Sequence, residues 1–435
     1  WGCIPSKVMK TTADLVGKFK RAGEFGIAVD GSVQVDMEAL MARKETVVEN
    51  QAKGILKLFD HHKIRYLRGT GTIERMHLSV VKLENGGIVE VPWDKLILAL
   101  GSRPLDLEAF PFDGKNILSS NDALVLREIP KSLLIVGGGV IGCEFAFIFS
   151  SLGSRVTVVE AMNRLLPLPW VDEDSSKVIQ REMKKHKIEL LVNRTVNKVE
   201  EDIEGCRITV GPSAFAVEIK ERERRPLTLV AEKVLLCIGR KANTDNVGLE
   251  KIGVRTDDKG WIAADEAMQT SVQHVYAIGD VLGPSKVMLA HVASSEGLVA
   301  VENAVGGKAE MDYHVVPSVI FSSPEVADVG FTEKQAREQG YCVRSDSVLF
   351  RQLGKPHVLG EIAGEAKIVS EAETGKILGV HIVGPGAGDL IAEGTLAMKL
   401  GCTVKDLAAT IHAHPTLPEI MMEASFKALG RPIHG

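Results

Sequence analysis

Aromatic side chains are scarce in this sequence: Phe, Trp and Tyr together make up 5% of 435 residues. A platform of stacked rings for nucleotide bases is therefore not on offer. A basic excess is missing too, since 52 lysines and arginines face 57 acids and the formal charge is −5, so no stripe exists to track a phosphate backbone. Nucleic acid is excluded as a partner. Long apolar runs are also absent. LLIVGGGVIG at 133–142 is broken by glycine and falls short of the roughly 18–20 residues that span a bilayer, so no membrane is expected and the location is cytoplasmic, or an organelle matrix if a leader was removed. Cys3, Cys143, Cys206, Cys237, Cys342 and Cys402 lack the paired spacing of a disulfide framework or a zinc site. No metal is expected, and any thiol chemistry is confined to one place in a reducing compartment.

What is present is a normal globular mixture, 45% hydrophobic and 25% charged, long enough for about two to four domains. Residues 131–160, KSLLIVGGGVIGCEFAFIFSSLGSRVTVVE, are the most informative. LLIV reads as a buried strand, the glycines as a tight turn, VIGCEFAFIFSSLG as a helix and SRVTVVE as a second strand. Gly137, Gly139 and Gly142 form GxGxxG at the strand-to-helix turn, where bare backbone admits a pyrophosphate and the helix N-terminus faces its charge. Glu160 ends the second strand at close to the roughly 20-residue spacing that sets a carboxylate on the adenosine ribose. That carboxylate repels a 2′-phosphate, so NAD(H) is expected over NADP(H).

Two segments echo each other. KLILALGSRP at 95–104 and KVLLCIGRKA at 233–242 share a lysine, an apolar strand, a glycine and a polar or basic residue. The second, with Gly239, closes the unit opened at Gly137. By symmetry the first, with Gly101, closes an earlier dinucleotide unit whose glycine turn is not in this sequence. TSVQHVYAIGD at 270–280 is a buried strand that puts Asp280 at the carboxyl edge of a parallel sheet, where ligands of such sheets bind. From about residue 311 the texture becomes strands and turns, an antiparallel sheet with helices in a separate C-terminal α+β domain. Near the end, HAHPTLPE at 412–419 places His414 before Pro415, which biases its backbone to extended geometry. Glu419, five residues on, can accept an imidazole N–H after a turn, and such a pair suits thiol deprotonation near neutral pH. Taken alone, two surface histidines would be the plainer reading.

GCIPSK, LILALGSRP, GGGVIGCE, VLLCIGRKANT, VYAIGD, VPSVIFSSPEVADVG and HAHPTLPE, in that order and along essentially the whole chain, resemble the pyridine nucleotide–disulfide oxidoreductases, and within them the branch that oxidises dihydrolipoamide. The resemblance implies an α/β fold with two Rossmann-like domains, for FAD and NAD, and a C-terminal α+β dimerisation domain. The expected boundaries are 1–118 for the first part of the FAD domain, 119–240 for the NAD domain, 241–311 for the FAD return segment and 312–435 for the interface domain.

It also implies roles. Cys3 is the flavin-side thiol of a Cys-x4-Cys pair whose partner is expected ahead of Trp1. Lys7 stands beside the flavin, and Glu144 pairs with it. Gly71 meets the adenine, Asp280 the ribityl chain, and Ala290 and His291 begin a helix facing the flavin. Ala99-Leu100-Gly101 departs from the family's Ala-Thr-Gly and removes a hydroxyl. His414 and Glu419 are the acid–base dyad, contributed by the opposite subunit of a homodimer, with His412 a structural neighbour. The implied partner is a lipoyl domain, on the acyltransferase core of a 2-oxoacid dehydrogenase or on the H-protein of a glycine-cleavage complex. Mercuric reductases need C-terminal thiols that ALGRPIHG lacks, Glu160 argues against the NADPH-dependent glutathione reductases, and flavin transhydrogenases lack both the redox cysteines and the dyad. A non-catalytic docking subunit is the reading of a different class, and Cys3, Lys7, Glu144, His414 and Glu419 together argue against it.

Overall fold

The computed structural model describes residues 2–203, 205–216 and 221–434. By its internal contacts the chain divides into two units, one built from 1–48, 106–238 and 315–435, the other from 49–105 and 239–314.

At the centre of the first unit lies a five-stranded parallel sheet in the order Ile117–Leu118, Lys233–Leu236, Ser132–Val136, Arg155–Val159, Glu189–Leu191. The LLIV run is its middle strand, buried from Leu133 to Val136, as a strand covered on both faces must be. The helix after the glycine turn spans Val140–Leu152 and is buried from Gly142 to Phe149. A helix apolar all round is an interior helix. Helix Cys3–Lys20 lays Val8, Met9 and Ala13 into the same apolar cluster as Phe145 and Phe149, so the N-terminal segment is fixed along the helix that follows the turn. A small antiparallel sheet of Arg194–Asp202, Gly205–Pro212 and Leu227–Ala231 interrupts the parallel one, a feature the sequence reading did not place.

The C-terminal part of this unit is the antiparallel sheet with helices that its texture suggested. Its strand order is Ser318–Ile320, Glu325–Gly330, Ile377–Gly384, Glu365–Glu371, Val343–Leu349. Ile377–Gly384 is buried along its whole length, because helices Ala387–Lys399 and Glu173–Lys185 both touch it. Two polar ties hold this stack. Lys367 Nζ donates to Asp172 Oδ1 at 2.8 Å and also bonds Asp174, while His381 is flanked by Asp328 Oδ1 at 2.7 Å and the Phe331 carbonyl at 2.9 Å. Helix Glu419–Ala428 buries Ile420, Met421 and Ala424 in the core below the sheet, and its first residue is thereby held in place.

In the second unit, Leu96–Leu98 pairs in parallel with Val275–Ala277, and Asp280 follows just beyond the carboxyl end of that strand. The two echoing segments meet here, since Ser102–Pro104 pairs antiparallel with Arg240–Ala242. A three-stranded meander, Gly69–Arg75, Leu78–Leu83 and Ile88–Pro92, and helix Ala290–Ala304 complete it. Leu100 packs against the apolar cluster of Ile73, Leu98 and Tyr276. Among the described residues no helix is long and apolar enough to cross a membrane.

Candidate active site

Cys3 is exposed and opens helix Cys3–Lys20, at the end where unpaired amides and the helix dipole favour negative charge. Cys143 and Cys206, which are buried, and the half-buried Cys237 are of another kind. Burial pushes the thiols of Cys143, Cys206 and Cys237 up, that of Cys206 to about 11, so they stay protonated and act as packing groups. One turn on from Cys3, Lys7 Nζ donates to both carboxylate oxygens of Glu144, at 3.0 and 2.9 Å. Glu144 is only 8% exposed and also accepts the Phe321 N–H at 3.1 Å. The Phe321 ring in turn lies 4.2 Å from Lys7 Nζ, a cation–π contact. Lys7 is therefore clamped by an acid on one side and an aromatic face on the other. Phe321 was not singled out in the sequence, and no local signal marks it, because it meets Lys7 only through the fold.

In the glycine turn the three glycines have different reasons for lacking a side chain. A Cβ on Gly142 would lie 1.9 Å from the Gly137 carbonyl oxygen, and one on Gly137 would lie 2.4 Å from the Cys237 carbonyl oxygen. A Cβ on Gly139 would meet nothing within 4 Å. Gly139 is the N-cap of helix Val140–Leu152 and has no side chain to cap it. Open space before an uncapped helix N-terminus fits a pyrophosphate. Glu160 is buried, and its carboxylate is built into the turn: Oε2 accepts the Gly138 N–H at 2.6 Å and Oε1 the Met162 N–H at 2.7 Å. Each oxygen keeps a further lone pair for a ribose hydroxyl. The nearest basic side chain beyond it, Arg164, is spent on the carbonyls of Leu166, Leu168 and Val171 at 2.8–3.3 Å, which ties it to its own loop and away from a 2′-phosphate role.

Gly71, Gly101, Gly239, Asp280, Ala290 and His291 all belong to the second unit. A Cβ on Gly71 would meet nothing, and Gly101 and Gly239 have φ of 67° and 133°, conformations that favour glycine. Asp280 Oδ2 accepts the Ser102 hydroxyl at 2.7 Å, and the same hydroxyl accepts Arg240 Nε–H at 2.6 Å. Helix Ala290–Ala304 is preceded by Leu289, which offers no polar cap to the first turn. A carboxylate, side-chain-free backbone and an uncapped helix start suit a second nucleotide.

His414 and Glu419 are joined: Nδ1–H donates to Glu419 Oε1 at 2.9 Å, while Oε2 accepts the Thr416 N–H at 2.8 Å. His414 is 77% exposed and Glu419 12%, so the acid is a fixed support and the ring its presented tip. Burial alone would raise the Glu419 carboxyl, but the Thr416 amide and the imidazole outweigh it and hold the group below its usual range. His412 has both ring nitrogens occupied, by Glu393 Oε1 at 2.8 Å and the Thr410 carbonyl at 2.9 Å. It is unavailable as a base, and Glu393 is a partner that the sequence did not reveal.

Residues 1–297 match the pyridine nucleotide-disulphide oxidoreductase family, and residues 316–425 match the dimerisation domain of that family. The chain belongs to the pyridine nucleotide-disulphide oxidoreductases. Relatives include the dihydrolipoyl dehydrogenases of Chlamydia muridarum, 39% identical over 100% of this chain and 89% of that protein, and of Geobacillus stearothermophilus, 37% identical over 100% and 88%. Among solved structures, LpdA of Mycobacterium tuberculosis superposes with a TM-score of 0.87 at 25% identity, covering 98% of this chain and 89% of that one. The HOCl-induced flavoprotein disulfide reductase RclA of Escherichia coli has the same fold, with a TM-score of 0.81 at 23% identity. Members of this oxidoreductase family use FAD and NAD(H), the two nucleotides for which the residues above are fit.

Proposed function

We propose that this pyridine nucleotide-disulphide oxidoreductase is a dihydrolipoyl dehydrogenase, oxidising protein-bound dihydrolipoamide to lipoamide while NAD⁺ becomes NADH and a proton is released. The observation that carries this reading is the exposed His414 held by the buried-side carboxylate of Glu419. A base presented at a surface suits a thiol arriving on another protein.

His414 takes the proton from one dihydrolipoyl thiol, and Glu419 orients the ring and stabilises its charged form. The resulting thiolate attacks the sulfur of Cys3's disulfide partner, which releases the Cys3 thiolate and leaves a mixed disulfide; the second substrate sulfur then attacks the substrate sulfur of that mixed disulfide, closing lipoamide, and its proton passes to the partner thiolate that leaves. FAD, when bound, supplies the carrier that passes the electron pair from this thiol pair to NAD⁺. Lys7, clamped by Glu144 and Phe321, holds a positive charge in the part of the site assigned to the flavin. Gly137, Gly139, Gly142, Glu144, Glu160 and Gly239 would hold NAD⁺, and Lys7, Gly71, Gly101, Asp280, Ala290 and His291 would hold FAD. The segments 1–118 and 241–311 form the FAD domain, 119–240 the NAD domain and 312–435 the interface domain. The active assembly is a homodimer in which His414 serves the opposite protomer, working in the cytoplasm or an organelle matrix with a lipoyl domain as partner.

An anaerobic absorbance titration of the full-length protein with dihydrolipoamide, followed by NAD⁺, tests the reading. A long-wavelength thiolate-to-flavin band that NAD⁺ discharges with formation of NADH is expected. A flavin spectrum indifferent to the dithiol but bleached by NADH would overturn the substrate assignment.

A further inference from the structure

Glu296 lies in the middle of helix Ala290–Ala304 and is 1% exposed. A carboxylate taken from water to the interior is costly unless its oxygens are bonded, and buried acids usually sit opposite a cation. Glu296 forms no ion pair among the described residues. Its bonds are to two neutral donors, the Gly279 N–H at 2.6 Å on Oε2 and the Tyr313 hydroxyl at 2.7 Å on Oε1. Both donors have a direction imposed on them. Gly279 has a φ of 74°, and a Cβ there would lie 3.2 Å from that of Ala293, so its turn is pressed against the helix. Tyr313 carries Lys286 Nζ 4.8 Å from its ring centroid, and Lys286 is anchored to Glu266 at 3.2 Å. Burial and the Glu296 bond push the Tyr313 hydroxyl up, so it remains a donor.

The residue next to Gly279 is Asp280, and the same helix begins at Ala290 and His291. Resting on the FAD reading above, we propose that Glu296, with Tyr313, is a positioning residue for the flavin nucleotide: it sets the spacing between the Gly279–Asp280 turn and the helix N-terminus. Ser102 and Arg240 aim the Asp280 carboxylate from its side-chain end, and Glu296 fixes the backbone that carries it. No apolar side chain does this, because the half-buried Gly279 N–H would lose its acceptor. Glutamine can, with its carbonyl on Gly279 and its amide donating to a rotated Tyr313 hydroxyl.

The test compares FAD affinity of the deflavinated full-length protein, by quenching of flavin fluorescence, with the melting temperature of the same deflavinated samples. Loss of hydrogen bonds to a charged group is expected to raise the FAD dissociation constant about 10- to 100-fold in Glu296→Ala, less in Tyr313→Phe, with Glu296→Gln close to wild type. A purely structural role would lower the melting temperature and leave the affinity of the folded fraction unchanged. If Glu296→Ala does not fold, Tyr313→Phe decides, and an unchanged FAD affinity in that folded variant overturns the proposal. A wild-type protein that binds no FAD would instead overturn the cofactor reading on which it rests.

Discussion

The role proposed for His414 turns on which ring nitrogen is left for a substrate. Glu419 holds Nδ1, so Nε2 of an exposed ring faces solvent, whereas two residues upstream His412 has neither nitrogen to spare. His414→Gln is therefore expected to lower kcat/KM for dihydrolipoamide by about 10²–10⁴-fold, the usual worth of a positioned base, and His412→Gln to cost far less. NADH-driven reduction of a quinone dye, which needs no thiol base, serves as the control and should survive in both; equal losses in the two variants would remove the base assignment. Glu419 adds a pH signature. Its carboxyl lies below its usual range in the fold, so the stability it contributes is fully present above about pH 4.3, the unfolded value, and is lost as pH falls through the lower folded value. Thermal melts of Glu419→Gln should match the pH trend of the wild type near neutrality and decline less steeply in acid, since one of the lowered carboxyls is gone.

Among the elements, the glycine turn separates fold from ligand within six residues. Gly142 cannot accept a Cβ without moving the Gly137 carbonyl, but Gly139 has ordinary φ of −75° and open space before it. Gly142→Ala should lower the melting temperature, and Gly139→Ala should melt like the wild type while raising KM for NADH by about tenfold or more, since a methyl group then stands where backbone must approach phosphate. Unchanged KM in Gly139→Ala would place the nucleotide elsewhere. Elements of this kind were legible in the sequence because their signal is local: the strand Ser132–Val136, the turn and the helix Val140–Leu152 are written in consecutive residues, and so is the His414–Glu419 pair, five residues apart. Phe321 against Lys7, Lys367 against Asp172, Glu393 against His412 and Glu296 against Gly279 were not. Each joins segments between which no local rule operates, and a buried acid on a helix does not show in the sequence whether it binds a lysine, as Glu144 does, or a backbone amide, as Glu296 does.

For the whole molecule the open matter is whether one chain holds a complete site. The dimerisation domain contains His414 and Glu419, while Cys3 and Lys7 lie at the other end of the chain. In a two-fold dimer each site built across the interface takes its thiol from one protomer and its base from the other. Chains carrying Cys3→Ser and chains carrying His414→Gln are each inactive towards dihydrolipoamide as homodimers on this reading. A mixed dimer, co-expressed with two affinity tags and purified through both, pairs an intact Cys3 from one chain with an intact His414 from the other in one of its two sites. It should regain about half of the wild-type turnover per dimer, and each site should titrate with dihydrolipoamide as an independent unit. If both groups of a site came from the same chain, neither site of the mixed dimer would be whole and its turnover would stay at the level of the parents, which would refute the shared site while leaving the chemistry of His414 untouched.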